Sequence, residues 1–279
     1  MELKLFAADW HGIPLTEVAA EVGMRPGELA DARLYRRLYE IWRARGYAAS
    51  PEWVVQKRGV AALIRDAVGQ PGGVALSVGA GLGLVERALA DSGWAVELQE
   101  CQDISFDEAR RSWNPKTWIT DGLSTIPAPP RGGYGVILFV SSTYAMPRPV
   151  YRSMLCDAWR LLRPGGFVVI WEHDARVSLR PKRGVFWGWV RPPGVHVRLA
   201  KESGFDLVSL EHLDRRLHAV APGIRLFGFQ SPVGRSLAQL LIFRRRPDQA
   251  GRLDSDAVAF DSLACHERAP SKNAGRVEW

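Results

Sequence analysis

The sequence has few cysteines and no long apolar run. Its three cysteines, Cys101, Cys156 and Cys265, are scattered along 279 residues, and their separation gives neither a disulfide framework nor the spacing of a metal site. The longest apolar runs, such as those at residues 136–140 and 167–171, fall far short of the roughly 20 residues that cross a bilayer. We therefore predict a cytoplasmic protein with no bound metal and no membrane partner.

The N-terminal stretch does not indicate a signal peptide, and the charge balance does not favour a nucleic-acid partner. Residues 1–12 carry Glu2 and Asp9 around a very short apolar stretch, which differs from a signal peptide. The 37 Lys+Arg exceed the 30 Asp+Glu and give a net charge of +7. That balance is compatible with a nucleic-acid partner, but the arginines are spread over the whole chain, which does not favour one.

The apolar pattern changes once along the chain. Residues 16–68 show helical spacing, interrupted at 46–51. Seven short apolar runs of the β type follow, and helical stretches such as 84–91 and 151–162 separate the early ones. Such alternation is typical of βαβ units, so we predict an α/β fold with a doubly wound, mostly parallel seven-stranded sheet and an antiparallel ending. The seven runs lie at residues 74–78, 95–98, 118–120, 136–140, 167–171, 205–210 and 237–243.

This pattern divides the chain into three parts. Residues 1–70 are predicted to form an N-terminal helical cap, and residues 71–247 a Rossmann-like domain. Two insertions, near 175–194 and 214–235, interrupt that domain. Residues 248–279 are polar and are predicted to be a flexible tail.

A glycine-rich turn is the main chemical signal. Residues 74–83 read Val-Ala-Leu-Ser-Val-Gly-Ala-Gly-Leu-Gly, a buried strand that ends in small residues before a helix, which lets a ligand approach the backbone. The dinucleotide fingerprint requires a sixth-position glycine where this chain has Leu84, so an oxidoreductase is disfavoured. Glu100, at the end of the next strand, is the candidate ligand for ribose hydroxyls, and Asp103 is its competitor.

Residues 74–172 resemble the class I S-adenosylmethionine (SAM)-dependent methyltransferases along their whole length. The resemblance rests on five motifs in order: the glycine turn, the acid of the second strand with its following helix (100–110), the acidic loop 121–127, the fourth strand (134–140) and the helix, Pro-Gly-Gly turn and strand at 159–172. It implies a methyltransferase with SAM as cofactor. The implied cofactor-binding residues are Ser77, Gly79, Ala80, Gly81, Gly83, Glu100, Cys101, Asp121, Gly122, Val140 and Ser141.

Two departures from the family are visible. Many members carry an acid at the position of Ser77, where it helps to hold the methionine amino group, and many carry aspartate at the position of Gly135. Because a serine hydroxyl forms weaker hydrogen bonds than a carboxylate, the first departure bears on cofactor affinity.

Methyl transfer from a sulfonium needs alignment and exclusion of water, and it needs a base only when the acceptor must lose a proton. His173 is the candidate base because the unperturbed pKa of histidine lies near neutrality, although a structural histidine is the alternative. Glu172 and Tyr144, which follow the fifth and fourth strands, are the other catalytic candidates.

The acceptor site is predicted where the 141–144 loop, the segment after Glu172 and residues 175–194 come together. Residues 176–183 and 186–189 pair cations with aromatic rings, which suits a small-molecule acceptor that is planar or anionic, and also suits nucleobases. N-terminal aromatics are predicted either to close over the cofactor or to pack on the sheet; these are Tyr35, Tyr39, Trp42 and Tyr47.

Small-molecule methyl transfer on O, N or C is therefore the predicted function. An RNA or protein methyltransferase is one alternative, and a non-catalytic SAM-binding or DNA-binding regulator is another. Residues 15–24 with Leu29 have helix-turn-helix spacing, but any tight two-helix corner, including one used in a homodimer, imposes the same positions.

Overall fold

The computed structural model describes residues 2–46, 51–127, 129, 132–173, 184–212 and 238–247. Within these ranges, no helix has the length and apolarity needed to cross a membrane. The two predicted segments 214–235 and 248–279, together with Tyr47 and residues 176–183, lie outside the described residues.

The N-terminal part begins with three short strands and continues with three helices. The strands are β1 (Leu3–Ala7), β2 (Asp9–Trp10) and β3 (Ile13–Pro14), and the helices are α1 (Leu15–Glu21), α2 (Ala32–Ala44) and α3 (Pro51–Val68). The rest of the described chain contains β4 (Val74–Val78), α4 (Leu84–Asp91), β5 (Ala95–Glu100), α5 (Asp107–Ser112), β6 (Lys116–Ile119), β7 (Tyr134–Val140), α6 (Arg148–Leu161), β8 (Leu162–His173), β9 (Val185–Val190), α7 (Pro193–Glu202), β10 (Phe205–His212) and β11 (Ala238–Arg245).

Seven strands form the central sheet in the order β6-β5-β4-β7-β8-β11-β10. Neighbouring strands from β6 to β8 are parallel, whereas β11 runs antiparallel to both β8 and β10. The predicted doubly wound, mostly parallel sheet with an antiparallel ending is confirmed. The chain reverses its direction of strand addition between β4 and β7, and ligands of open α/β sheets bind at the carboxyl ends of the strands beside such a reversal.

Strand β7 shows why the sheet is covered on both faces. All seven of its residues are buried, and its side chains alternate between two separate cores. Val136 and Leu138 pack with residues of α3 and α4, whereas Ile137 and Phe139 pack with residues of α6 and α7. A strand buried on both faces needs a continuous apolar sequence, which is what made β7 predictable.

The N-terminal part is less helical than predicted. Helix α3 packs in the core of the sheet through Val60, Leu63 and Ile64, so it belongs physically to the main domain. Strand β1 instead pairs antiparallel with β9, with Leu3 opposite Val190. The cap is therefore a mixed α/β layer that the chain assembles from two distant segments.

The predicted insertion at 175–194 contains a strand that the sequence analysis did not identify. Residues 185–190 form β9 because Val185, Phe186, Trp187 and Val190 are buried against the N-terminal part. The basic and proline-rich surroundings concealed this strand in the sequence.

Packing on β9 also explains the helix-turn-helix spacing. Leu15, Val18 and Ala19 of α1 share a core cluster with Leu34 of α2 and with Val185 of β9. Helix α2 begins after Asp31, whose carboxylate accepts hydrogen bonds from the backbone nitrogens at the start of the helix. The small and apolar positions thus serve a corner that is packed against a strand.

Candidate functional site

A cavity of about 290 Å³ lies at the carboxyl ends of four neighbouring strands. Its floor is formed by the turn after β4, the end of β5, the residue Asp121 after β6 and the loop after β7. The floor residues are Gly79, Ala80, Gly81, Leu82, Gly83, Gln99, Glu100, Cys101, Asp121, Val140, Ser141 and Ser142. The cavity is at the lower end of the size range of small-molecule sites.

The glycine turn, residues 79–83, brings its backbone to the cavity. Gly79, Gly81 and Gly83 all have positive φ angles, of 64°, 58° and 67°, which glycine adopts without strain. A Cβ atom on Gly79 would lie 2.7 Å from the Cβ atom of Ser142. The turn is therefore glycine-rich because both its backbone conformation and the adjacent loop exclude a side chain.

Glu100 fastens this turn to the end of β5. Its Oε1 atom accepts a hydrogen bond from the backbone nitrogen of Gly81 at 2.9 Å, and its Oε2 atom accepts one from Cys101 at 3.1 Å. Burial raises the pKa of Glu100, and these two hydrogen bonds oppose that rise. Asp103 lies outside the cavity lining and is ion-paired with Arg110.

The loop after β7 presents two buried hydroxyl groups. Ser141 and Ser142 line the cavity, and their buried Oγ atoms have no hydrogen-bond partner among the described residues. Ser141 also has a φ angle of 53°, an uncommon conformation for a residue with a side chain. Because an unsatisfied buried hydroxyl is costly, these two groups indicate a position where a ligand supplies the partners.

This loop is held from both sides by two buried charges. Glu172 Oε1 accepts hydrogen bonds from the backbone nitrogen and the hydroxyl of Thr143, at 2.6 and 2.9 Å, and from the nitrogen of Tyr144 at 3.3 Å. Arg191 donates to the carbonyl oxygens of Thr143 and Met146, each at 2.6 Å. Burial nevertheless raises the pKa of Glu172 to about 7.

The cavity is also lined by an aromatic wall from the N-terminal part, which contacts the glycine turn through Leu82. We call its members, Trp10, His11, Tyr39, Trp42 and Trp53, the aromatic roof; all of them line the cavity. Their rings contact one another: the Trp42 ring lies 5.0 Å from Trp53 and 5.2 Å from His11, both stacked, and 4.6 Å from Trp10. The roof is thus one packed unit.

Two charged side chains also reach this cavity. Lys57 of α3 and Glu86 of α4 line it, although only 8% and 2% of their surfaces are exposed. Each occupies a helical position that faces the core, Lys57 in register with Val60 and Ile64, and Glu86 in register with Leu89. A charge on an otherwise apolar helix face is the sequence signal that could have identified both residues.

The cavity brings together most of the predicted cofactor residues. Those that line it are Gly79, Ala80, Gly81, Gly83, Glu100, Cys101, Asp121, Val140 and Ser141, and Tyr144 of the predicted catalytic group also lines it. Ser77 and Gly122 do not line it. Ser77 is fully buried and donates a hydrogen bond to Glu86.

The three predicted catalytic residues lie at different depths. Glu172 is buried behind the 141–146 loop and does not line the cavity. Tyr144 lines it, and burial raises the pKa of its hydroxyl, so this group stays protonated and can donate a hydrogen bond. His173 is the last residue of β8, where it pairs with Ala238, and its side chain lies outside the description.

Sequence reasoning overlooked several residues around this cavity. Trp10 and His11 come from a β-turn, and Arg191 acts from the end of β9, so their positions depend on distant chain segments. Burial and the charge of Lys57 lower the pKa of His11, which leaves its imidazole neutral.

Comparison with models of protein families matches residues 55–219, more than half of the chain, to a methyltransferase domain. The search of curated proteins finds no match. Among solved structures, the chain resembles the 1,6-didemethyltoxoflavin-N1-methyltransferase of Burkholderia thailandensis, with a TM-score of 0.55 and 15% identity over 79% of this chain and 92% of that one.

Two further structures have the same fold. A glycopeptide N-methyltransferase gives a TM-score of 0.52 at 15% identity, covering 68% of this chain and 94% of that one. The magnesium protoporphyrin IX methyltransferase of Synechocystis gives 0.52 at 12% identity, covering 76% of this chain and 99% of that one.

Proposed function

The chain belongs to the SAM-dependent methyltransferases, and we propose that it transfers the methyl group to a small, planar acceptor bound beneath the aromatic roof. The methyl donor is SAM. The acceptor proposal depends mainly on one observation, that packed aromatic rings from the N-terminal part line the same cavity as the glycine turn.

The floor of the cavity has features that fit SAM. The glycine turn leaves room for a ligand against the backbone, and Glu100 offers carboxylate oxygens at the end of the second strand, where ribose hydroxyls are bound in open α/β sheets. The unpartnered hydroxyls of Ser141 and Ser142 add two groups that can donate to a ligand. We propose that these residues, with Asp121 after β6, hold the cofactor.

The roof favours a flat acceptor of limited size. Trp and Tyr side chains bind planar rings by stacking and edge contacts, and they exclude water without offering a competing nucleophile. The whole cavity, which the acceptor shares with SAM, measures only about 290 Å³, so the space beneath the roof favours a small acceptor. Two of the similar structures have names that specify planar ring systems, a didemethyltoxoflavin and magnesium protoporphyrin IX, whereas the third names a glycopeptide.

Methyl transfer from SAM requires mainly that the protein align the acceptor with the methyl group. SAM supplies a methyl group on a positively charged sulfur, which an aligned nucleophile displaces. The roof keeps water out, and the fastened 141–146 loop gives the acceptor side a fixed wall, so that donor and acceptor meet in line. Tyr144 offers a hydrogen bond to the acceptor, and we propose His173, next to the buried Glu172, as the base for an acceptor that must lose a proton.

Labelled SAM tests this proposal. The purified protein is incubated with methyl-labelled SAM and a cell extract that has been separated into small-molecule, RNA and protein fractions. We expect the label in the small-molecule fraction, in a compound that absorbs in the near ultraviolet. Label in RNA or protein would overturn the acceptor proposal. A gel-shift series with bulk tRNA at increasing salt is the companion control, because phosphate contacts weaken steeply with salt.

A further inference from the structure

Two buried, opposite charges, Glu86 and Lys57, line the cavity and interact with each other electrostatically. Glu86 lies near the N-terminus of α4, the helix that directly follows the glycine turn, and Lys57 belongs to α3. Both line the cavity while almost all of their surface is covered by protein. A buried charge is stable only when another charge or several hydrogen bonds compensate it, so this pair needs an explanation.

Glu86 is held in a defined orientation. The hydroxyl of Ser77 donates a hydrogen bond of 2.6 Å to its Oε1 atom, and Ser77 itself is completely buried in β4. Ser77 occupies the position at which many family members carry an acid. The structure therefore keeps a carboxylate at this place, but it comes from the helix after the turn, and the strand supplies only the hydroxyl that orients it.

Lys57 is held between aromatic faces. Its Nζ atom lies 4.9 Å from the ring centroid of Trp171 and 5.7 Å from that of Trp53. Burial lowers the pKa of Lys57 to about 8, and the negative charges of Glu86 and Glu172 act against this shift. Burial also raises the pKa of Glu86, and Lys57 opposes it. At Glu86 the hydrogen bond from Ser77 contributes more than Lys57 to this opposition, so the carboxylate does not depend on Lys57 alone.

We propose that Glu86 and Lys57 together recognise the zwitterionic amino-acid end of SAM, with Glu86 binding its ammonium group and Lys57 binding its carboxylate. This inference rests on SAM as the methyl donor. A ligand that carries both charges on one carbon can satisfy both side chains at once, whereas a ligand with a single charge leaves one of them unmatched. The pair is therefore a specificity element for the intact amino acid.

Three ligands distinguish the contact of Glu86 with the ammonium group from the contact of Lys57 with the carboxylate. S-adenosylhomocysteine (SAH) carries both charged groups, its decarboxylated form keeps only the amine, and 5′-methylthioadenosine has neither. Their dissociation constants are measured by calorimetry at pH 7 for the wild type, Glu86→Gln and Lys57→Met. Asp91→Asn, at the exposed end of α4, is the matched control for a lost carboxylate, and Lys201→Met on α7 is the control for a lost ammonium.

Each variant has its own expected pattern. Glu86→Gln should weaken SAH and its decarboxylated form about 10-fold or more, the scale of a lost charge-assisted hydrogen bond, and should leave methylthioadenosine within about 2-fold. Lys57→Met should weaken SAH about 10-fold or more and should leave the other two ligands nearly unchanged. The controls should bind all three as the wild type does.

Equal weakening of all three ligands by Glu86→Gln would show a structural role and overturn the proposal. Unchanged SAH affinity in Lys57→Met would overturn the proposed contact between Lys57 and the carboxylate. A double variant, Ser77→Asp with Glu86→Gln, returns a carboxylate from the strand and should restore the preference for SAH over methylthioadenosine. Label transferred to RNA or protein would overturn the small-molecule proposal and leave these affinities unaffected, so the two failures are distinguishable.

Discussion

Glu172 accepts a hydrogen bond of 2.6 Å from the backbone nitrogen of Thr143, so the end of β8 fixes the loop that follows β7. This contact joins the carboxyl ends of two neighbouring parallel strands. It places a buried carboxylate behind the cavity, where its protonation affects the folding free energy as well as the loop.

The first prediction concerns Glu172→Gln. Because the pKa of Glu172 in the folded protein is raised to about 7, its contribution to stability is full below about pH 4.5 and is lost as the pH rises through 7. A glutamine oxygen still accepts the hydrogen bonds from Thr143 and Tyr144 but does not ionise. Between pH 5 and pH 8 the variant should therefore gain on the order of 2 kcal/mol relative to the wild type, measured by urea unfolding.

Glu108, whose side chain is partly exposed on α5, provides the comparison for this experiment. Glu108→Gln also removes one carboxylate, but it leaves the hydrogen bonds of the 141–146 loop in place. A constant difference between Glu172→Gln and the wild type across this range would mean that Glu172 is ionised throughout, with Arg191 outweighing burial.

The second prediction compares the two acids near the end of β5. Glu100→Ala removes both fastening hydrogen bonds and the proposed ribose contacts, so SAH affinity should fall by a factor that corresponds to about 1.5–3 kcal/mol. Asp103→Ala breaks only a surface ion pair with Arg110 and should change the affinity little. Calorimetric titration of both variants with SAH gives the answer, and a larger loss for Asp103→Ala would refute the placement of the ribose.

The third prediction concerns the glycine turn. Gly79→Ala introduces a Cβ atom 2.7 Å from Ser142 at a positive φ angle, and both the clash and the backbone strain lower stability. Gly93→Ala has a φ angle of 92° but open space around the new atom, so it isolates the strain. We expect Gly79→Ala to be the more destabilised by about 1–3 kcal/mol and to bind SAH more weakly. Equal melting temperatures for the two variants would contradict the close approach.

The fourth prediction concerns the proposed base. His173→Gln should lower the methyl-transfer rate about 100-fold without changing SAH affinity, because the base acts only when the acceptor loses its proton. The remaining activity should rise with pH. His11→Gln is the comparison, since the neutral His11 lines the cavity. Full activity of His173→Gln at neutral pH would assign His173 a structural role and favour an acceptor that is already nucleophilic.

Local sequence signals were sufficient for the sheet and pointed to two members of the roof, Tyr39 and Trp42, but they did not identify Trp10 and His11. Strand β7 is a continuous apolar run, and the glycine turn has a fixed spacing, so both could be predicted from the local sequence. Trp10 and His11 reach the cavity only because β1 pairs with β9, a long-range contact that no local pattern encodes. Arg191 was hidden for the same reason.

The charged pair illustrates a different limit of sequence reasoning. Helical periodicity shows that Lys57 and Glu86 point inward, but it does not show that their two helices converge on one cavity. That convergence follows from the packing of α3 against α4, which share one core cluster on the same face of the sheet. Their joint role therefore emerges only in three dimensions.

The pairing of β1 with β9 has a consequence for how the protein is made. The hydrogen bond between Glu2 and Arg191 spans 189 residues of sequence, so the ribosome releases the N-terminal strand long before its partner exists. Until β9 emerges, Leu5 and Ala7, which end up buried, have no strand to pair with and stay exposed to other chains. Pairing of β1 is therefore a late event of synthesis, and β1 is the segment of the nascent chain that a chaperone would have to shield.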